Sequence, residues 1–134
     1  MWPTEDADRR EICRRPFVPI LVREVHYLAA CAIYRNEAPF LQEWLEFHRL
    51  VGVERVFLYN NMSADEHRDV LAPYVADGTV VLKDWSDVPG QASAYRDCLH
   101  EHRDDARWIA FIDIDEFLFS PTLAPLPELL EAFE

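Results

Sequence analysis

Four times along this chain, a short apolar run gives way to a segment whose apolar residues recur at three- and four-residue spacing. The short runs have the length and composition of buried strands, and the periodic segments have the stripe of amphipathic helices. Strand and helix alternating with short connections leave few arrangements open. Right-handed crossovers on a mostly parallel sheet satisfy them, so the expected fold class is α/β, a Rossmann-like sheet with flanking helices.

The first strand is expected over Tyr27 to Tyr34. Asn36 then stands where a helix cap belongs, with Glu37 and Pro39 in the first turn. Leu41, Trp44, Leu45, His48 and Val51 form one apolar stripe, and Gly52 stops the helix. Arg55 to Tyr59 gives a second strand. Ser63 and Glu66 have capping-box spacing ahead of a helix carrying Val70, Leu71 and Tyr74, which Pro73 should kink or restart. Gly78 turns into a third strand, Thr79 to Lys83, followed by a loop from Asp84 to Gly90. A third helix is expected to pack Ala92, Tyr95, Leu99 and His102. The fourth strand, Arg107 to Ile112, leads to a last helix with Pro127 in its first turn and Leu130 and Phe133 in its stripe. Residues 1–24, punctuated by Pro3, Pro16 and Pro19, are expected to form an N-terminal arm with a short extended piece at Ile20 to Val22. Residues 25–134 are expected to form one domain.

Charge narrows the partners. A formal net charge of −12 over 134 residues repels phosphate backbones and anionic membranes, which argues against nucleic acid as a partner. The longest apolar stretches, such as Phe17 to Val22, are too short for a transmembrane segment. Glu5, Asp6 and Asp8 stand where a signal peptide would be positive. Cys13, Cys31 and Cys98 are odd in number and form no CxxC pair, so a reducing, cytoplasmic setting is expected.

Chemistry is expected at the carboxyl ends of the strands, where open α/β sheets bind ligands. Four polar clusters stand there: Arg35, Asn36 and Glu37; Asn60, Asn61 and Ser63; Asp84 with Gly90 and Gln91; and Asp113, Asp115 and Glu116. The last is the most informative. An apolar strand opens onto three carboxylates within four residues, and each acid raises its neighbours' pKa. A hard divalent cation relieves that repulsion. On an ideal strand Asp113 and Asp115 would share one face. A metal-and-phosphate site is one reading, and a solvated loop of acids is the other. His48 and His102 have no metal-ligand partner at i+4 and fit helix packing better.

The run Ala32-Ile33-Tyr34-Arg35-Asn36-Glu37-Ala38-Pro39-Phe40-Leu41 with Glu43-Trp44 resembles the opening strand and helix of family 2-like glycosyltransferases, and more closely those of glycosyltransferase family 92. The resemblance continues through His48, Gly52-Val53, Tyr59-Asn60-Asn61 with Ser63, Gly90-Gln91, Tyr95-Arg96-Asp97-Cys98 and Trp108 to Phe117. It implies a GT-A fold, a nucleotide-sugar donor (most often a UDP-sugar), Mn²⁺ or Mg²⁺ on its diphosphate, and a carbohydrate acceptor. By position, Tyr34, Arg35, Asn36 and Glu37 would border the nucleobase and ribose. Asn60 or Asn61 stands where family 2 relatives place an Asp near the nucleoside, a departure from the pattern. Gln91 would lie close to the donor. Asp113 would approach the ribose or a metal-bound water, Asp115 would be the principal metal ligand, and Glu116-Phe117 would shape the sugar side.

The resemblance places the general base and much of the acceptor site beyond the DxD motif, and the sequence ends at Glu134. A donor-binding half is therefore expected, incomplete on its own, with an exposed apolar sheet edge open to self-association. Two alternatives accompany it. One is a non-catalytic nucleotide-binding remnant. The other is a DxD phosphohydrolase of the haloacid-dehalogenase type, which would carry its DxD on an early strand followed by Gly-Thr.

Overall fold

A computed structural model describes residues 23–134. Most of the expected N-terminal arm, including Ile20 to Val22, lies outside the described residues. Within them the order is β1 (His26–Tyr34), α1 (Ala38–Leu50), β2 (Arg55–Asn60), α2 (His67–Ala76), β3 (Val80–Asp84), α3 (Gln91–His102), β4 (Ala106–Phe111) and α4 (Leu126–Leu130). A 3₁₀ turn over Glu131–Phe133 follows.

The four strands form one sheet in the order β3-β2-β1-β4, and every neighbouring pair is parallel. The expected α/β class is observed. Ala29 of β1 aligns with Arg55 on one side and Ile109 on the other. Pairing on both edges explains why β1 is so apolar. Ala29, Ala30, Cys31 and Ala32 are fully buried, and their small side chains leave room for helices on both faces.

Alternate strand residues feed two cores. On one face Leu28, Ala30, Ala32, Val56, Leu58 and Val80 pack against Leu41, Trp44 and Leu45 of α1 and Leu71 and Tyr74 of α2. On the other, Ala29, Cys31, Phe57, Tyr59 and Ala106 pack against Ala94 and Cys98 of α3. Burying a Leu or a similar side chain contributes about 1.5–3 kcal/mol, so the α1 stripe is a principal support of the fold.

Several local expectations are corrected. Asn36 does not cap α1. It has φ of +56°, a left-handed conformation that Asn tolerates, and Glu37 takes the cap position without a side-chain bond. Ser63 and Glu66 form no capping box, because α2 starts at His67 with Glu66 as an unbonded cap. Instead the Asn36 amide donates to Ser63 Oγ (2.9 Å) and Asn36 Oδ1 accepts the Ala64 amide (2.8 Å). The two loops are clipped to each other, which uses the polar groups that caps would have used. Pro73 is contained within α2. The buried centre of α3 is Ala94 and Cys98; Tyr95 and His102 pack beside them as expected, whereas Ala92 and Leu99 are exposed. Phe133 is exposed as well, because the short α4 hands over to a 3₁₀ turn that rotates it off the stripe.

Candidate functional site at the carboxyl edge

Moving from β1 to β2 and β3, the chain travels one way across the sheet. The α3 crossover then carries it back to β4 on the opposite side of β1. The strand order thus reverses between β1 and β4, and open α/β sheets bind ligands beyond such a switch point. Arg35 and Asn36 follow β1 there, and Asp113 follows β4.

The acids are not on a strand, as the spacing had suggested. β4 ends at Phe111, and the Glu116 amide closes a turn onto the Asp113 carbonyl (3.1 Å). Ile112 and Ile114 sink into the core at 6% exposure each, which leaves Asp113 half-buried and Asp115 exposed. Glu116 Oε2 accepts the Asp113 amide (2.9 Å), so Glu116 helps to close the turn. Gln91 Nε2, from the first residue of α3, donates to Asp113 Oδ1 (2.9 Å) and to the Tyr95 hydroxyl (3.2 Å). The Tyr95 hydroxyl also donates to Asp113 Oδ1 (3.4 Å). Burial raises the Tyr95 phenol, which keeps its proton available for that bond. Tyr95 was missed as a site residue, although its i+4 spacing from Gln91 on a helix was visible in the sequence.

At the β2–β3 end lies a polar cleft of about 310 Å³ lined by Asn60, Met62, Arg68, Asp84, Trp85 and Ser86. Asn60 Nδ2 donates to Asp84 Oδ1 (2.9 Å), while Arg68 donates to both Asp84 oxygens at 2.7 and 2.8 Å. The Asn60 amide and then the Arg68 guanidinium hold the Asp84 carboxyl below its usual range. Asn61 Nδ2 donates to the carbonyls of Trp85 and Asp87, both at 3.0 Å, which fixes the loop ahead of α3. A larger hollow of about 520 Å³ beside Phe47, Leu50, Phe117 and Leu123 is apolar and carries no chemistry of this kind.

The structure brings Gln91 and Asp113 into contact and places Arg35, Asn36, Glu37, Asn60 and Asn61 on the same edge. Tyr34 differs. Its ring is buried and its hydroxyl shares a 2.7 Å hydrogen bond with His67 Nδ1, so its side chain belongs to the core below the site. Arg35 is exposed and has no partner among the described residues. Also missed was Asp65, whose Oδ2 accepts the Ala38 amide (2.8 Å) and closes the start of α1.

Among the described residues, no three His, Cys, Asp or Glu side chains gather as a self-sufficient metal site. Asp113 and Asp115 nonetheless suit a cation that completes its shell on a ligand. Only Oδ1 of Asp113 is engaged, and Asp115 is exposed with no hydrogen-bond partner among the described residues. Mg²⁺ sites commonly combine one or two carboxylates with substrate phosphates and water.

Residues 26–134 match the sequence model of Glycosyltransferase family 92. The chain belongs to glycosyltransferase family 92. A family 92 protein of Oryza sativa subsp. japonica is 34% identical over 112 residues, covering 83% of this chain and 19% of the rice protein. A family 92 protein of Arabidopsis thaliana is 33% identical over 98 residues, covering 72% of this chain and 17% of that protein. An Arabidopsis thaliana protein named galactan beta-1,4-galactosyltransferase is 30% identical over 114 residues, covering 77% of this chain and 23% of its own length. The chain thus spans about a fifth of the length of these relatives. The crystal structure of S. aureus TarS 1–349 superimposes with a TM-score of 0.62 at 13% identity, covering 79% of this chain and 32% of that one. That likeness is one of fold, and the family 92 chain has the GT-A type of α/β sheet.

Proposed function

We propose that residues 26–134 form the donor-binding part of a glycosyltransferase, which takes a nucleotide-diphosphate sugar for transfer to a carbohydrate hydroxyl. Family membership supports the reaction class. The observation that carries the reading is the acidic turn at the β1–β4 switch point, where Gln91 and Tyr95 orient Asp113 and Asp115 stays open. The nucleoside would lie over the β1 and β2 ends, bordered by Arg35, Asn36, Glu37, Asn60 and Asn61. The exposed Arg35 guanidinium suits an anionic ligand on a strongly acidic chain.

Asp115, with Asp113, would hold Mn²⁺ or Mg²⁺ together with the diphosphate. Such a cation, when bound, stabilises the negative charge that builds on a departing nucleoside diphosphate. The chain's own residues bind and orient. Gln91 fixes the Asp113 carboxylate, Asn61 fixes the loop before α3, and the Asn36–Ser63 clip fixes the nucleoside border. The donor is proposed to be a UDP-sugar.

Isothermal titration with UDP, with and without Mn²⁺, tests this reading. Binding should require the metal and be lost in Asp115→Ala. Equal affinity with and without Mn²⁺ would remove the metal role. A phosphohydrolase has the weaker support: Glu116-Phe117 follows the acids, which emerge from the last strand of the sheet.

A further inference from the structure

The acidic turn is held from a helix distant in sequence. The Trp44 indole N–H of α1 donates to two carbonyls of the turn, Asp113 O (3.0 Å) and Glu116 O (2.9 Å), 69 and 72 positions away. One turn further along the same helix, His48 Nε2 accepts the Leu118 amide (3.2 Å). His48 Nδ1 lies 2.8 Å from the Trp44 carbonyl, so Nδ1 carries the proton and Nε2 is the free acceptor. Both side chains are fully buried. The Phe117 ring stacks on His48, with centroids 5.8 Å apart and planes at 14°, and meets Phe47 edge-on. Trp44 and His48 thus grip the turn at its first acid, at its closing residue and just beyond it. An apolar core alone would require neither the indole N–H nor the imidazole acceptor.

We propose that Trp44 and His48 are positioning residues for the acidic turn, setting where Asp113 and Asp115 stand relative to a bound nucleotide diphosphate and its divalent cation. The proposal rests on the donor-site reading above. The same helix starts beside Arg35, Asn36 and Glu37, so α1 ties the nucleoside border to the acids as one rigid piece. Neither residue is expected to touch the ligand.

Amide hydrogen exchange on the ligand-free chain, followed by UDP titration with and without Mn²⁺, tests this in Trp44→Phe, His48→Leu and His48→Gln. Loss of its acceptor should speed exchange of the Leu118 amide about tenfold in His48→Leu, and loss of the two indole bonds to the turn carbonyls should loosen the turn and speed exchange of the Glu116 amide in Trp44→Phe. Phe57 and Leu58 in β2 should keep their protection. In both variants the affinity for UDP in the presence of Mn²⁺ should fall about tenfold, and His48→Gln, which keeps an acceptor, should restore most of it. Unchanged exchange at both amides, or unchanged affinity for UDP in the presence of Mn²⁺, would overturn the proposal. If the native chain binds no UDP in the presence of Mn²⁺, the donor-site reading fails and the proposal falls with it. A native metal step that survives all three variants sinks the proposal alone.

Discussion

Gln91 Nε2 stands 2.9 Å from Asp113 Oδ1, so the first residue of α3 governs the first acid of the turn after β4. The bond joins the crossover helix to the strand it delivers, across the switch point of the sheet. Gln91 is exposed, and its loss leaves no buried group stranded. Gln91→Ala should therefore leave the melting temperature nearly unchanged. Its effect should appear in Mn²⁺-dependent UDP binding, weakened about fivefold for one hydrogen bond of about 1 kcal/mol. Paired thermal melts and calorimetry check both halves.

Tyr34 behaves in the opposite way. Its hydroxyl and His67 Nδ1 share a buried hydrogen bond, with the rings 5.5 Å apart and edge to face. Burial raises the phenol well above its ordinary value, so it remains protonated. Tyr34→Phe strands a buried imidazole nitrogen and should cost about 1–3 kcal/mol in urea unfolding. Nucleotide affinity measured on the folded fraction should change little.

Gly52 occupies a position no other residue fits. Its φ is +113°, and an added Cβ would lie 2.5 Å from Pro127 Cδ. The Leu126 amide donates to the Val51 carbonyl (2.8 Å) in the same contact. Gly52→Ala should destabilise the chain by about 2–3 kcal/mol, combining backbone strain with displacement of α4. Denaturation midpoints of Gly52→Ala and the native chain would show it.

Acid should expose His48. Burial lowers its pKa from the ordinary 6.5, with the bond to the Trp44 carbonyl opposing that shift, so the folded state favours the neutral ring. The unfolded chain takes up the proton first as pH falls. Stability carried by this residue is thus complete above about pH 6.5 and is lost as pH drops through the lower folded-state value. Unfolding free energies measured from pH 7.5 to 5 should decline in the native chain and decline less in His48→Gln.

Much of this was legible in the sequence, for reasons that individual residues make plain. The α1 stripe is long and regular: Leu41, Trp44, Leu45 and His48 are buried as expected, and Val51 is half-buried at the cap that ends the helix. The strands were equally clear, because β1 has partners on both edges and an apolar centre from Leu28 to Ile33. The failures lie where polar side chains chose between local and distant partners. Asn36 and Ser63 each had a plausible cap role within their own segments, yet they bond to each other 27 positions apart. Spacing cannot reveal that choice, since it depends on two loops meeting in space. The acids show the same limit. Alternation predicted a shared strand face for Asp113 and Asp115, but Ile112 and Ile114 bury themselves while the backbone closes into a turn. Trp44 was read as core, and it is core; its indole N–H became informative only once the turn lay beneath it.

The place of β1 in the sheet has a consequence for how the molecule is put together. The first strand is flanked by the second and, on its other side, by the fourth. One flank of β1 must therefore wait open while α1, β2, α2, β3 and α3 are laid down. The entropic cost of closing so long a loop grows only slowly with its length, so the delay itself is tolerable. It does set a condition: Asp113 and Asp115 reach their stations only when β4 is docked on β1. A ligand held by those acids would bind the chain with β4 docked and not the chain without it, shifting the folding equilibrium toward the docked state by mass action. In this arrangement the donor would act as the keystone of its own binding domain.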